Sequence, residues 1–92
     1  MILSFRHRGL RRLYERDDPR GVNPEHVSKL RNILVRLDIA QGPDDMDLPG
    51  FRLHPLRGDR FGTWAVTVRA NWRITFRFEG EDVADVNYED YH

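Results

Sequence analysis

The side chains that could transfer protons or hold a phosphate group are concentrated after residue 50. They are His54, Arg57, Arg60, Arg73, Asp90, Tyr91 and His92. A histidine with an unperturbed pKa of about 6.5 can give or accept a proton at neutral pH. Two histidines beside arginines could therefore act as a general acid–base pair with an electrostatic clamp.

That chemistry suits the cleavage of RNA. One histidine would remove the proton of a 2′-hydroxyl, whose oxygen attacks the adjacent phosphorus, and the other would protonate the 5′-oxygen that leaves. Arginines would stabilise the extra negative charge on the phosphorane. The scheme requires no metal ion and no other cofactor.

Each of these residues also has a structural interpretation. His54 precedes a proline and could be a hydrogen-bonded histidine on an edge strand. Arg73 could belong to a solvated strand face. Asp90 and His92 could lie in a frayed terminus, since the last residues of most domains are poorly ordered. The pattern of residues leaves both interpretations open.

The other two histidines, His7 and His26, lie in basic helical contexts, and we expect both at the surface. The chain has no cysteine, and its four histidines lack the His-x₃-His spacing of a helical metal site. We therefore predict no metal site. The absence of cysteine fits a reducing compartment, and no apolar run exceeds three residues. These features predict a cytoplasmic protein without a membrane-spanning segment.

The element that must position the candidate residues is the stretch 63–78, which alternates with a period of two. One face carries the apolar side chains Trp64, Val66, Val68, Trp72, Ile74, Phe76 and Phe78. The other face carries Thr67, Arg73, Thr75 and Arg77. The pattern predicts a β-hairpin that turns at residues 69–71. Its apolar face needs a cover, and we expect its cationic face to remain open to an anionic partner.

The segments on either side of the hairpin predict the helices and strands that complete the domain and bury its apolar face. Residues 2–5 resemble a short strand, and residues 6–15 resemble an amphipathic helix. Asn23-Pro24 predicts the start of a second helix, which Gly42-Pro43 would stop. Residues 51–56 and 83–87 are predicted strands. We therefore predict one α+β domain over residues 1–92, with two N-terminal helices packed on one face of a twisted, mostly antiparallel sheet.

Charge is patterned along a chain whose formal net charge is zero. Residues 1–36 and 51–78 are basic blocks, whereas residues 37–50 and 79–92 are acidic blocks. A nuclease that acts on free RNA would benefit from net positive charge. Neutrality with patterned charge better suits docking into one preformed site.

Several segments together resemble one family. They are Leu53-His54-Pro55-Leu56-Arg57-Gly58-Asp59-Arg60, Val68-Arg69-Ala70-Asn71-Trp72-Arg73-Ile74-Thr75-Phe76, the terminal Asn87-Tyr88-Glu89-Asp90-Tyr91-His92, and Ser4-Phe5-Arg6-His7-Arg8-Gly9-Leu10 near the start. The combination is similar to the HigB toxins, RelE-like members of bacterial type II toxin–antitoxin pairs. The resemblance is loosest in the second predicted helix and at residues 41–49.

The resemblance implies an endoribonuclease with a RelE-like fold that cleaves mRNA in the ribosomal A site and inhibits translation. It implies a HigA-like helix-turn-helix antitoxin as partner, together with mRNA and 16S ribosomal RNA. Its implied catalytic positions are His54, Asp90, Tyr91 and His92. Its implied RNA contacts are Arg57, Arg60, Asn71 and Arg73, with Arg73 on phosphate and Asn71 on a base of the codon.

Arg57 marks a departure, because relatives can carry lysine there. Arginine keeps the charge but hardly ever releases its proton, so we assign Arg57 an electrostatic role only. The roles of base and acid stay open, although a terminal carboxylate would favour protonated His92 and hence an acid. We also expect Tyr88 or Tyr91 to pin the tail against the sheet, with Asp90 orienting a neighbouring histidine or arginine.

Two other functions are compatible with the same fold. One is a ParE-like gyrase poison without nuclease activity, against which the set of His54 with Asp90, Tyr91 and His92 argues. The other is a degenerate module that only binds an antitoxin or the ribosome.

Overall fold

Two helices precede a four-stranded sheet in the computed structural model, which describes residues 1–91. The helices are α1 (Arg8–Arg16) and α2 (Val27–Ile39), and the strands are β1 (His54–Pro55), β2 (Trp64–Arg69), β3 (Trp72–Glu79) and β4 (Asp82–Asp90). Short 3₁₀ helices lie at Pro19–Gly21, Pro24–His26, Pro43–Met46 and Gly58–Arg60. Neighbouring strands pair antiparallel in chain order, β1-β2-β3-β4.

Local capping fixes where the helices begin. The His7 ring accepts a hydrogen bond from the Leu10 N–H at 3.0 Å, so α1 starts one residue later, at Arg8. The Asn23 side chain accepts from the Glu25 N–H at 2.9 Å and starts the 3₁₀ turn that leads into α2. Both are polar side chains that satisfy N–H groups left unpaired at a helix start.

The apolar face of the β2–β3 hairpin is buried, as the alternation predicts. Val66, Ile74 and Phe76 are fully buried. They pack in one core with the apolar side chains of α2, which are Leu30, Ile33, Leu34 and Leu37. The predicted α+β arrangement, with helices packed against one face of an antiparallel sheet, is confirmed. Within residues 1–91, no helix has the length and apolar character needed to cross a bilayer.

Three strand boundaries differ from the prediction. The strand predicted at residues 51–56 is only His54–Pro55, because Arg52 has a left-handed backbone (φ 51°) and proline has no N–H for a ladder. Residues 2–5 form only isolated parallel bridges, from Ile2 and Phe5 to β4. Strand β4 continues to Asp90, three residues beyond the predicted end at residue 87.

The two N-terminal histidines are not surface residues. His26 is 4% exposed, and its Nδ1 lies 2.6 Å from the hydroxyl of buried Tyr88. His26 precedes Leu30 and Ile33 on the same helical stripe, which explains why it faces the core. His7 is half-buried with its ring edge on Tyr88, and this burial lowers its pKa.

Candidate active site

A cleft of about 520 Å³ lies between β1, the loop that follows it and the β2–β3 turn. It is lined by His54, Pro55, Leu56, Arg57, Arg60, Thr67, Ala70, Asn71, Trp72, Arg73 and Tyr91. Six of the residues singled out from the sequence therefore share one cavity: His54, Arg57, Arg60, Asn71, Arg73 and Tyr91.

His54 is exposed on the edge strand and is held by one ring nitrogen. Its Nδ1 lies 2.8 Å from the carbonyl oxygen of Arg52. A carbonyl oxygen can only accept, so Nδ1 carries the proton in this contact. Nε2 is then the basic nitrogen of the neutral ring. The structural and functional interpretations of His54 are thus compatible, because one nitrogen anchors the ring and the other can accept a proton.

Glu89 lies between two arginines of the cleft. Its Oε1 accepts from Arg73 Nε at 2.9 Å and from Arg60 Nη1 at 2.8 Å, and Arg73 Nη2 is also 2.8 Å away. Arg73 and Glu89 are direct cross-strand partners in the β3–β4 register. Burial acts to raise the pKa of Glu89, but the hydrogen bonds from Arg60 and Arg73 outweigh it and lower the pKa. Glu89 is therefore ionised at neutral pH.

The expectation of an open cationic face is wrong. The Arg73 side chain is 11% exposed because Glu89 and Tyr91 contact it, and Thr75 on the same face is 2% exposed. Arg77 is paired with Asp85 and with Glu79. Carboxylates of β4 and of the end of β3 therefore pair with both arginines of β3.

Arg57 contrasts with the paired arginines. Among residues 1–91 it has no acidic partner, whereas Arg60 and Arg73 share Glu89. Three arginines and one glutamate meet here among the described residues, which is a surplus of positive charge. Within residues 1–91, an anion that enters would meet Arg57 without first displacing a carboxylate.

Tyr91 connects the end of β4 to the β2–β3 turn. Its N–H donates to the carbonyl oxygen of Asn71 at 2.7 Å, and its ring lies 4.2 Å from the guanidinium carbon of Arg73. The preceding turn residue, Ala70, has a left-handed backbone (φ 51°), which lets the hairpin reverse within two residues. Tyr88 is buried against His26 on the other face. Both tyrosines therefore hold the end of the strand, as expected from the sequence.

Asp90 does not lie in this lining. Asp90 is an exposed residue opposite Trp72, and strand alternation places its side chain on the face opposite to that of Glu89. His92 lies outside the described residues. Glu89, which sequence reasoning missed, is the carboxylate that contacts Arg60 and Arg73, whereas from the sequence we expect Asp90 to orient a neighbouring histidine or arginine. Alternation with the buried residues Val86 and Tyr88 could have assigned Glu89 to the polar face of β4, although not to Arg73 as its partner.

This fold and cleft place the chain among the small RelE-like toxins, and comparison with known proteins supports that class. The family described as the RelE-like toxin of the type II toxin-antitoxin system HigB matches residues 3–92. The chain therefore belongs to the HigB-like toxin family. It is also 46% identical, over 92 residues, to Endoribonuclease HigB of Proteus vulgaris, with 100% of both chains covered.

Proposed function

We propose that this toxin is a ribosome-dependent endoribonuclease that cleaves mRNA in the A site and so inhibits translation. The observation that carries the proposal is the cleft itself, in which a histidine with a basic Nε2 lies with three arginines, one of which has no acidic partner within residues 1–91. The full-length similarity to a protein named as an endoribonuclease supports the same activity.

In the proposed mechanism His54 is the general base. Its Nε2 takes the proton of the 2′-hydroxyl, the 2′-oxygen forms a bond to phosphorus, and the bond from phosphorus to the 5′-oxygen breaks. The leaving oxygen receives a proton from the acid, a role we assign to His92. The products are a 2′,3′-cyclic phosphate and a 5′-hydroxyl, and no metal ion takes part.

Arginines would stabilise the charge that develops on the phosphorane. A guanidinium has five N–H donors, and Arg73 directs two of its nitrogens at Glu89, which leaves further donors for a phosphate oxygen. Arg57 has no carboxylate to displace within residues 1–91 and would contact phosphate directly. Arg60 completes the positive surface, and Asn71 in the turn would contact a base of the codon. Asp90 and Tyr91 would support the reacting groups.

The charge distribution favours docking over free encounter. The chain has zero net charge, and Glu89 neutralises part of the cleft. A protein of this kind gains little from long-range attraction to free RNA, which depends on released counterions. We therefore propose the ribosome, with its 16S RNA, as the place where the toxin meets mRNA in the cytoplasm, and a HigA-like helix-turn-helix antitoxin as the partner that restrains it.

The test compares Arg73→Ala with Arg77→Ala. Both remove one arginine from the same face of β3, but Arg77 pairs with Asp85 and Glu79 away from the cleft lining. Cleavage of mRNA on programmed ribosomes should fall about 100- to 1000-fold for Arg73→Ala, the usual cost of losing one charge-stabilising donor. Arg77→Ala should cleave nearly as the wild type does.

The same assay on naked RNA tests the ribosome requirement. Equal cleavage of naked and ribosome-bound RNA would contradict it. Cleavage of neither would favour the degenerate binding module, and in that case gyrase inhibition should be assayed to test for a ParE-like toxin. Equal losses in Arg73→Ala and Arg77→Ala would mean that the cleft is not where the chemistry occurs.

A further inference from the structure

Two aromatic side chains are exposed among residues 1–91, and each lies in one of two adjoining cavities. Tyr91, 59% exposed, lines the cleft described above. Phe61, 77% exposed, lines a second cavity of about 380 Å³. The two cavities share Pro55, Leu56 and Arg57 in their linings. Phe61 therefore lies beside the site of chemistry and continues its surface.

The loop that carries Phe61 is tied down by backbone hydrogen bonds. The Phe61 N–H donates to Gly58 at 3.1 Å, and the Thr63 N–H donates to Arg60 at 3.0 Å. The Leu56 N–H donates across the base of the loop to Thr63 at 2.8 Å. The backbone is thus bonded on both sides of Phe61, which presents an apolar ring to solvent from an anchored position.

The chemistry of the second cavity changes over a short distance. Its wall is apolar where Pro55, Phe61 and Trp64 lie, and it is cationic at Arg57. An aromatic ring next to an arginine matches a nucleotide, whose base is flat and apolar on its faces and whose phosphate is anionic. Single-stranded RNA is commonly held by this alternation of stacked bases and cationic contacts to the backbone.

The geometry points to a nucleobase subsite in this second cavity. We infer that one base of the mRNA, next to the scissile bond, stacks on Phe61. Arg57, which lines both cavities, would hold the phosphate between that base and the cleft. The inference rests on the proposed function, because it needs an RNA strand in the cleft. It adds a contact outside the catalytic set, namely a stacking residue that binds a neighbouring nucleotide and takes no part in proton transfer.

A stacked neighbouring base contributes equally to the ground state and to the transition state. Its loss should therefore raise KM and leave kcat unchanged. Base–aromatic stacking is worth ~1–3 kcal/mol, so Phe61→Ala should raise KM for programmed ribosomes about 5- to 150-fold. Phe61→Trp should restore most of the loss because it keeps a ring. Ile39→Ala is the matched control, since Ile39 is a similarly exposed apolar residue on α2.

The partner base is located with mRNAs that lack one base each, at every position of the A-site codon and at the nucleotide on either side of it. For one of these mRNAs, wild-type toxin should show the same rise in KM as Phe61→Ala shows on intact mRNA. On that same mRNA, Phe61→Ala should cause no further rise. This coupling identifies the base that contacts Phe61.

The outcomes separate the subsite from the function. An unchanged KM in Phe61→Ala, with cleavage still lost in Arg73→Ala, would overturn the subsite and leave the nuclease intact. A raised KM in Phe61→Ala that couples to no missing base, or a loss of antitoxin affinity without a change in KM, would also overturn it and assign Phe61 to a protein contact. Absence of cleavage by the wild type would overturn the function and the subsite together.

Discussion

The shared carboxylate of Glu89 should position the arginines of the cleft. The substitution Glu89→Gln keeps the shape of the side chain but removes its charge, so two guanidinium groups lose the anion to which both are bonded at 2.8 Å. Arg73 and Arg60 would then repel each other across the space that Glu89 Oε1 occupies. Glu89 is a positioning residue, because it would act on phosphate only through Arg60 and Arg73.

The expected loss of stability follows from the bonds that are weakened. An amide oxygen would still accept from each guanidinium, but without the opposite charge each pair loses about 1 kcal/mol of the ~1.5–3 kcal/mol that a hydrogen bond to a charged group contributes. The Glu89 and Arg60 side chains are 24% and 39% exposed, and solvent screening reduces the sum. We expect Glu89→Gln to lower the free energy of unfolding by about 1–2 kcal/mol. For a domain of this size that lowers Tm by roughly 4–16 °C.

The expected effect on cleavage is a split between kcat and KM. Arg73 keeps its charge but loses its fixed orientation, and misplacing a contributing group by about 1 Å can cost 100-fold. We expect kcat on programmed ribosomes to fall about 10- to 100-fold. KM should not rise, because removing a negative charge from the cleft does not weaken its attraction for phosphate. Glu79→Gln is the control, since Glu79 pairs with Arg77 away from the cleft lining.

Protonation of Glu89 at low pH should remove the same contribution to stability from the wild-type protein. The folded-state pKa of Glu89 is below the ordinary value of 4.5, so its stabilisation is fully present above about pH 4.5 and is lost as the pH falls through the lowered value. The difference in Tm between wild type and Glu89→Gln should stay constant from neutral pH to about 4.5 and shrink below it. If Glu89→Gln had the same Tm and the same kcat as the wild type at pH 7, the positioning role would be refuted.

Two further substitutions test the packing that supports the site. A Cβ on Gly9 would lie 2.2 Å from the carbonyl oxygen of Gly21, so Gly9→Ala should lower the free energy of unfolding by about 1–3 kcal/mol in urea denaturation; Gly42→Ala, with open space around it, should not. Tyr88→Phe would leave the buried His26 ring without its hydroxyl partner at 2.6 Å and should cost about 1–3 kcal/mol, measured by thermal denaturation, whereas an unchanged Tm would mean that the pair contributes nothing.

The core-forming hairpin was predictable because its signal is local. Val66, Ile74 and Phe76 alternate with polar residues, and a period of two is sufficient to assign their face. The start of α2 was predictable for a similar reason, since Asn23 caps the turn that Pro24 begins. Patterns of this kind need only the residues a few positions away.

The ion-pair arrangement was not predictable from such patterns. Whether Arg73 faces Glu89 or a neighbour depends on the register between β3 and β4, and that register shifts at an irregularity between Thr75 and Arg77. The irregularity coincides with Asp85, whose backbone is left-handed (φ 54°). A one-residue change in register would place a neighbour of Glu89 opposite Arg73, and its side chain would point to the other face of the sheet. The sequence alone therefore could not show that a carboxylate covers Arg73.

The burial of His26 was missed for a different reason. Its chemical type suggests a solvent-exposed position, and its basic neighbours strengthened that expectation. Its spacing to Leu30 and Ile33 continues the apolar stripe by one more turn, and position on the helix decides its environment. Polar residues on a core stripe can be buried where a partner such as Tyr88 satisfies them.

The pairing of the first residues with the last strand has a consequence for the order of folding. Strands β1 to β4 lie side by side in chain order, so the sheet forms through short loop closures and can assemble quickly. Residues 2–5 precede both helices in the chain, yet their β-bridges are to Val83 and Val86 in β4. Glu89 and Tyr91, which hold Arg73, are also synthesised late. The bridges of the N-terminal segment to β4, and the contacts that Glu89 and Tyr91 make with Arg73, therefore form only after the end of β4 has been made.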